Sequence, residues 1–387
     1  MMLAALLMAG VTVTSCSNED SISDVQSAKS GNYSMSVKAT KGNDVLSRAL
    51  AITDGSLNAT WTTGDKVYVY DVNTKTVIGE LIAQEDGAES TLKGIFYDEA
   101  TIPDVGDLLA LLFPKTTFDY KNQKGTLEDI AENYDYALAN VTITVKDEVN
   151  KTITTTDAAF TNAQSIVKFT LKDLEGNALD ADYMNVNFTN SGESVLLQSF
   201  DLEKGITRGQ IEILLSDYSN EIWAALATGE EDPVKVDVEI NANGKNDNHY
   251  IYRKSDVTFG SGGYYTISVN MIKSGTIQEA FQNGNETKFS FTAMGKELTL
   301  SSLFYNDAFG ETTISGTAAS MITSSSMEKY GKNLIISVNA MGKSGTMTID
   351  TVGNTYTWSD ATVGALIVLQ SITINGVEIT QLPKSKS

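Results

Sequence analysis

Lys121–Val145, KNQKGTLEDIAENYDYALANVTITV, decides how the rest of the chain is read. Thr126 supplies a hydroxyl that can cap a helix, and Glu128 and Asp129 follow at the positive end of its dipole. Leu127, Ile130, Ala131, Tyr134 and Ala137 recur at helical spacing, which predicts one apolar face about three turns long. The period then changes to two, with Val141, Ile143 and Val145 on one face and Thr142, Thr144 and Lys146 on the other. This stretch lies within Leu111–Leu171, whose far end, Ile166-Val167-Lys168-Phe169-Thr170-Leu171, alternates again. The helix and its strand therefore read as the lid and last strand of one β-domain, placed at the joint with a second and packed on the first.

Working outward, Tyr33, Met35, Val37 and Ala39 alternate with Ser34, Ser36, Lys38 and Thr40, which predicts a first strand followed by a polar loop, Lys41–Arg48. Val67 and Val69 mark the next strand, after the turn Thr63-Gly64-Asp65. Leu108–Phe113 is continuously apolar, as a strand buried on both faces would be. Beyond Leu171, Val234, Val236, Val238 and Ile240 alternate with Lys235, Asp237 and Glu239, Glu221–Ala227 precedes them, and Tyr265, Ile267, Val269 and Met271 close a second domain. A third segment, Ile277–Leu382, is again strand-rich, with Leu334–Ala340, Thr346–Val352 and Ala365–Leu369. It ends in a hairpin pivoting on Asn375-Gly376. No convincing internal repeat is found.

The 387 residues suffice for two or three domains, and an apolar content of 41% fits ordinary cores. With only 4 Pro and many short alternating runs, the chain reads as all-β, with one short helix in the first domain. The formal net charge of −21 and the lack of Lys/Arg clusters exclude nucleic acid as a partner. The charge reads as solubility; carboxylate-bound Ca²⁺ has no D-x-[DN]-x-[DN]-G loop to support it, and no metal or cofactor is expected.

Cys16 is the only cysteine, so there is neither a disulfide framework nor a cysteine-based zinc site. It follows the apolar run Met1–Thr14, too short to span a membrane and suited to a signal peptide; Val13-Thr14-Ser15-Cys16 resembles a lipoprotein lipobox, although no basic residue precedes the run. The expected organisation is a signal peptide over 1–15 and a lipidated, polar tether over 16–32, with domains over 33–160, 161–275 and 276–387.

GTLEDIAENYDYALANVTIT followed by AAFTNAQSIVKFTLKD resembles the Mfa-like fimbrillins, subunits of type V pili, as do Ala59–Tyr70 and Gly262–Met271. The resemblance covers roughly Ser34–Lys273; the segment after Lys273 lies outside it. It implies tandem transthyretin-like antiparallel β-sandwich domains followed, here, by a C-terminal β-rich domain. It also implies a fimbrial subunit, exported as an outer-membrane lipoprotein anchored through Cys16, with other subunits and a maturation protease as partners. Arg48-Ala49 matches the site at which an arginine-specific protease cuts related fimbrillins, and the strand carrying Tyr33, Met35, Val37 and Ala39 would then be displaced. The candidate donor in this chain is the C-terminal segment with Val377 and Ile379. The extra third domain leans towards a tip or accessory subunit.

Enzyme chemistry finds little to rest on. A triad or metal site would have to use His249, the single histidine, and the chain has no G-x-S-x-G. With 49 acids some close carboxylate pair is inevitable, and no spacing singles one out for glycoside hydrolysis. Gly260-Ser261-Gly262-Gly263 lacks the Lys-Ser/Thr of a phosphate loop and reads as a turn. Trp61, Trp223 and Trp358 lie in strand-like runs, where a core role competes with sugar stacking. The chain is thus expected not to be an enzyme. The alternative to a fimbrial subunit is a monomeric surface lipoprotein that holds a glycan or host ligand through its third domain.

Overall fold

The computed structural model describes residues 32–41, 51–53, 56–58, 60–98, 102–192, 196–201, 204–227, 233–244 and 248–386. Among these the chain is almost entirely β, in seven sheets. The first domain is one sheet that closes on itself. Its strands run in the order Ser34–Lys41, Ala158–Asn162, Ala137–Asp147, Leu108–Phe113, Lys66–Asp71, Thr76–Ala83 and Glu89–Phe96, and the last of these pairs back to the first. Closure leaves no free edge in that ring, the strongest protection a sheet can have against pairing with a stray chain. The core inside holds Val67, Val69, Leu109, Leu111, Val141 and Ile143, all buried as their alternation predicts.

Leu108–Phe113 is buried on both faces because each face meets a different core. Leu109, Leu111 and Phe113 point into the ring. Ala110 and Leu112 point outward, into a core that continues through the second domain. That domain stacks the strands Glu221–Leu226, Ser165–Lys172 and Tyr264–Asn270 on a five-stranded sheet centred on Ala181–Asn190 and Val234–Gly244. Not all pairing is antiparallel: Ser34–Lys41 runs parallel to Ala158–Asn162, and Ser165–Lys172 parallel to Tyr264–Asn270.

The helix is shorter than its periodicity suggests, Leu127–Asn133, because Ala137 already opens the next strand. Thr126 does cap it, accepting from the Asp129 amide. Its packing is also different from expectation. Ile130 and Tyr134 belong to the core shared with the second domain, and the helix lies against Glu221–Leu226 rather than over the ring. Nor is Ala137–Asp147 the last strand of its sheet, since Thr152–Thr155 and Ala158–Asn162 follow in it.

The loop before the helix covers one edge of the second domain's three-stranded sheet. Buried Gln123 accepts from the Ala225 amide and donates to the Ala225 carbonyl, both at 2.7 Å, and the Trp223 amide donates to the Gly125 carbonyl at 2.9 Å. Gly125 has φ +76°, and a β-carbon there would stand 2.9 Å from Ile222 Cγ1.

The third domain packs the strands Glu286–Ala293, Lys296–Tyr305 and Ile367–Ile374 against Ile322–Tyr330, Asn333–Ala340 and Lys343–Asp350, around Phe289, Phe291, Ile336 and Met347. Ala365 and Leu366 end a short helix, Ala361–Leu366, rather than opening the strand predicted at Ala365–Leu369. The Asn375-Gly376 hairpin forms as read, with Ile374 opposite Val377 and φ of +50° and +81° at the two turn residues.

Candidate functional site

The first strand is held on both sides. Residues 34–40 pair antiparallel with Glu89–Phe96; on the other side Ser34 and Met35 pair with Thr152–Thr155, and Ala39 to Lys41 with Ala158–Asn162. The period of two sends Tyr33, Met35, Val37 and Ala39 into the ring, each no more than 4% exposed. Ser34, Ser36, Lys38 and Thr40 face outward, where Lys38 pairs with Glu89 at 3.1 Å.

Each end of the strand carries a polar fixture that sequence reading missed. At the start, the Tyr33 hydroxyl donates to the Glu148 carboxylate, and Lys151 Nζ stands 4.8 Å from the centre of the Tyr33 ring. Burial first, and then the bond to Glu148, push the tyrosine pKa up; the same bond lowers that of Glu148. At the far end lies Lys41, read from sequence as the start of a polar loop. It is instead the next inward residue of the strand, 8% exposed. Its Nζ donates to the Thr60 carbonyl at 2.6 Å and stands 4.2 Å from the Trp61 ring centre and 5.7 Å from that of Phe113. Trp61 is fully buried, edge-on to Phe113 and Phe160. The signal was present: Lys41 continues the series Tyr33, Met35, Val37, Ala39 at its spacing of two.

Of the other sequence-chosen residues, Cys16, Arg48 and Ala49 lie outside the described residues. Val377 and Ile379 were expected on one face, yet Val377 is 70% exposed while Ile379, 7% exposed, packs in the third domain's core. The tight turn spends Val377 on hairpin pairing before the chain bends inward. His249 is exposed and hydrogen-bonds Asn243 across its hairpin. Trp223 is buried at the inter-domain joint, Trp358 is half-buried, and Gly260–Gly263 forms a turn. No group of three His, Cys, Asp or Glu stands close enough to hold a metal ion among the described residues. What the first strand and its surroundings can do is bind an extended chain through a backbone ladder and alternate pockets.

No protein-family model and no curated protein sequence matches the chain. Among solved structures it is similar to a protein of Bacteroides uniformis described as a candidate cell-adhesion protein, at 14% identity and TM-score 0.37, over 64% of this chain and 97% of that one. It is similar to a fimbrial assembly protein of Parabacteroides distasonis at 10% identity and TM-score 0.30, over 73% and 99%. A streptococcal ancillary pilin is similar at 10% identity and TM-score 0.23, over 82% and 95%. At such identities and scores the likeness places the chain in no family.

Proposed function

We propose that the chain is a structural or accessory subunit of cell-surface fimbriae, exported as a lipoprotein and assembled by protease-triggered strand exchange. The observation that carries this reading is the first strand, an element at the N-terminal end of its domain that nonetheless completes the closed sheet. Cleavage at Arg48-Ala49 would sever it from the rest of the chain while its ladder bonds still hold it in place. The apolar side chains it contributes, Met35 and Val37 among them, are each worth roughly 1.5–3 kcal/mol of burial. Leaving their groove open would expose a row of unpaired N–H and C=O groups beside a bare core, so another subunit's strand has a strong drive to refill it. The four sequence segments resembling fimbrillins support the same reading.

Blocking cleavage with Arg48→Ala tests it. The expected result is loss of polymer from shed surface material, with precursor retained. Normal polymer still carrying Cys16–Ala49 would overturn strand exchange for this protein.

A further inference from the structure

We infer that the groove of the first strand selects its donor by charge as well as by shape: it takes a strand of the form aromatic-x-apolar-x-Val-x-small-x-basic, supplied by a different polypeptide. The inference rests on the strand-exchange reading and adds the identity of the partner strand.

The resident strand defines the pattern as Tyr33, Met35, Val37, Ala39, Lys41. Three of its positions are demanding. Ala39 is fully buried between Ser90 and Ala158, its cross-strand neighbours, so only a small side chain fits there. Val37 points into the closed core opposite Leu92. At Lys41 the groove ends in a carbonyl, Thr60 O, and the face of a buried tryptophan, both of which favour a cation. An incoming strand with an apolar residue at this point would forgo the bond to the Thr60 carbonyl and the contact with the indole, and an acid would face the negative side of the Trp61 ring. Selection at a buried end position also fixes register, because a slip of one residue would turn every side chain to the wrong face.

This chain's own C-terminus fails the pattern. Taken in steps of two, Val377, Ile379, Gln381 and Pro383 put a polar amide after two apolar residues and then a residue without an N–H; Glu378, Thr380, Leu382 and Lys384 hold one apolar side chain. Ile379 is already committed to the third domain's core. The segment Tyr265-Thr-Ile-Ser-Val-Asn-Met-Ile-Lys273 departs from the pattern at its small position, where it carries Met271, and it is committed too, with Val269 and Met271 buried in the second domain. Neither segment is a free strand of this pattern, so the inference places the donor on a second kind of subunit.

The test uses the soluble chain with a specific protease site placed between Arg48 and Ala49. After cutting, it is challenged with fluorescent peptides of residues 33–41, the Lys41→Arg, Lys41→Ala, Lys41→Glu and Val37→Asp forms, and a peptide of residues 377–385. Anisotropy should show the native and Lys41→Arg peptides exchanging in, Lys41→Ala at least tenfold weaker, Lys41→Glu weaker still, and the C-terminal peptide not at all. A Trp61→Phe receptor should shrink the gap between the native and Lys41→Ala peptides, which a purely structural role for Trp61 would not do. Equal binding of all Lys41 forms, with Val37→Asp still excluded, would overturn the charge selection and leave strand exchange standing. Binding of the C-terminal peptide as tightly as the native one would overturn the need for a foreign donor. Failure of every peptide, the native one included, would bring down strand exchange itself, and this inference with it.

Discussion

Two segments of this protein share Tyr, Ser, Val and Lys at the same four positions of nine, YSMSVKATK at Tyr33–Lys41 and YTISVNMIK at Tyr265–Lys273. Both send alternate residues into a core, and both run parallel to a neighbour on one side. They differ on the other side. Ser34–Lys41 has Glu89–Phe96 along its length, whereas Tyr264–Asn270 ends its three-stranded sheet, and among the described residues nothing pairs with its outer edge. Their ends differ as well: Lys41 is drawn onto Trp61, while the chain leaves its sheet at Met271 and Lys273 pairs with Tyr250 in the facing one. Alternation thus says which side chains go inward. It is silent on what the backbone meets at the strand's two edges.

The sharpest way to break the comparison is amide exchange, where protection ranges from near zero up to the whole stability of a domain, typically about 5–15 kcal/mol. The register puts the amides of Tyr265, Ile267 and Val269 on Ser165–Lys172 and those of Thr266, Ser268 and Asn270 on the open edge. Exchange along Tyr264–Asn270 should therefore alternate, slow then fast. In the first strand Ser34 should be slow beside Met35, Val37 and Ala39, since neighbours stand on both sides. Uniform protection of both strands would mean that the second edge is covered after all.

The covered edge of the same three-stranded sheet gives the next effect. Gly125→Ala would place a β-carbon against Ile222 at a φ of +76°. A loss of about 1–3 kcal/mol in denaturant unfolding is expected, together with faster exchange of the Trp223 and Ala225 amides. An unchanged midpoint would show that the loop is not what seals that edge.

The smallest effect concerns the two tyrosines. Glu148 has its pKa lowered by the Tyr33 hydroxyl, so its contribution is present above the unfolded carboxylate value, about 4.3, and is lost as pH falls through the lower folded value. Wild type and Glu148→Gln should differ in melting temperature at neutral pH and converge in acid. The Tyr265 hydroxyl instead accepts from the Gly260 amide at 2.8 Å, so Tyr265→Phe should cost the same at both pH values. A gap for Glu148→Gln that persists in acid would remove the carboxylate from the account.

Much of the fold was legible because it depends on local rules. The cap at Thr126, the hairpin at Asn375-Gly376 and the doubly buried Leu108–Phe113 each follow from a few adjacent residues. The helix partner was not legible, since Leu127, Ile130 and Tyr134 would be equally apolar against either domain. Lys41 was misread for a related reason: a lysine after alternating apolar residues signals solvent unless a distant carbonyl and an indole face are brought to it.

The sequence by itself determined the all-β class, the inward set Tyr33, Met35, Val37 and Ala39, and the absence of any basic cluster for nucleic acid. Only the tertiary structure decided that the first strand closes a ring, that the helix packs on Glu221–Leu226 of the second domain, and that Lys41 is a buried cation. The reason is physical. A strand's faces are set by its own period of two, but its edges are hydrogen-bonded by residues far away in sequence, here Glu89–Phe96 on one side and Ala158–Asn162 on the other.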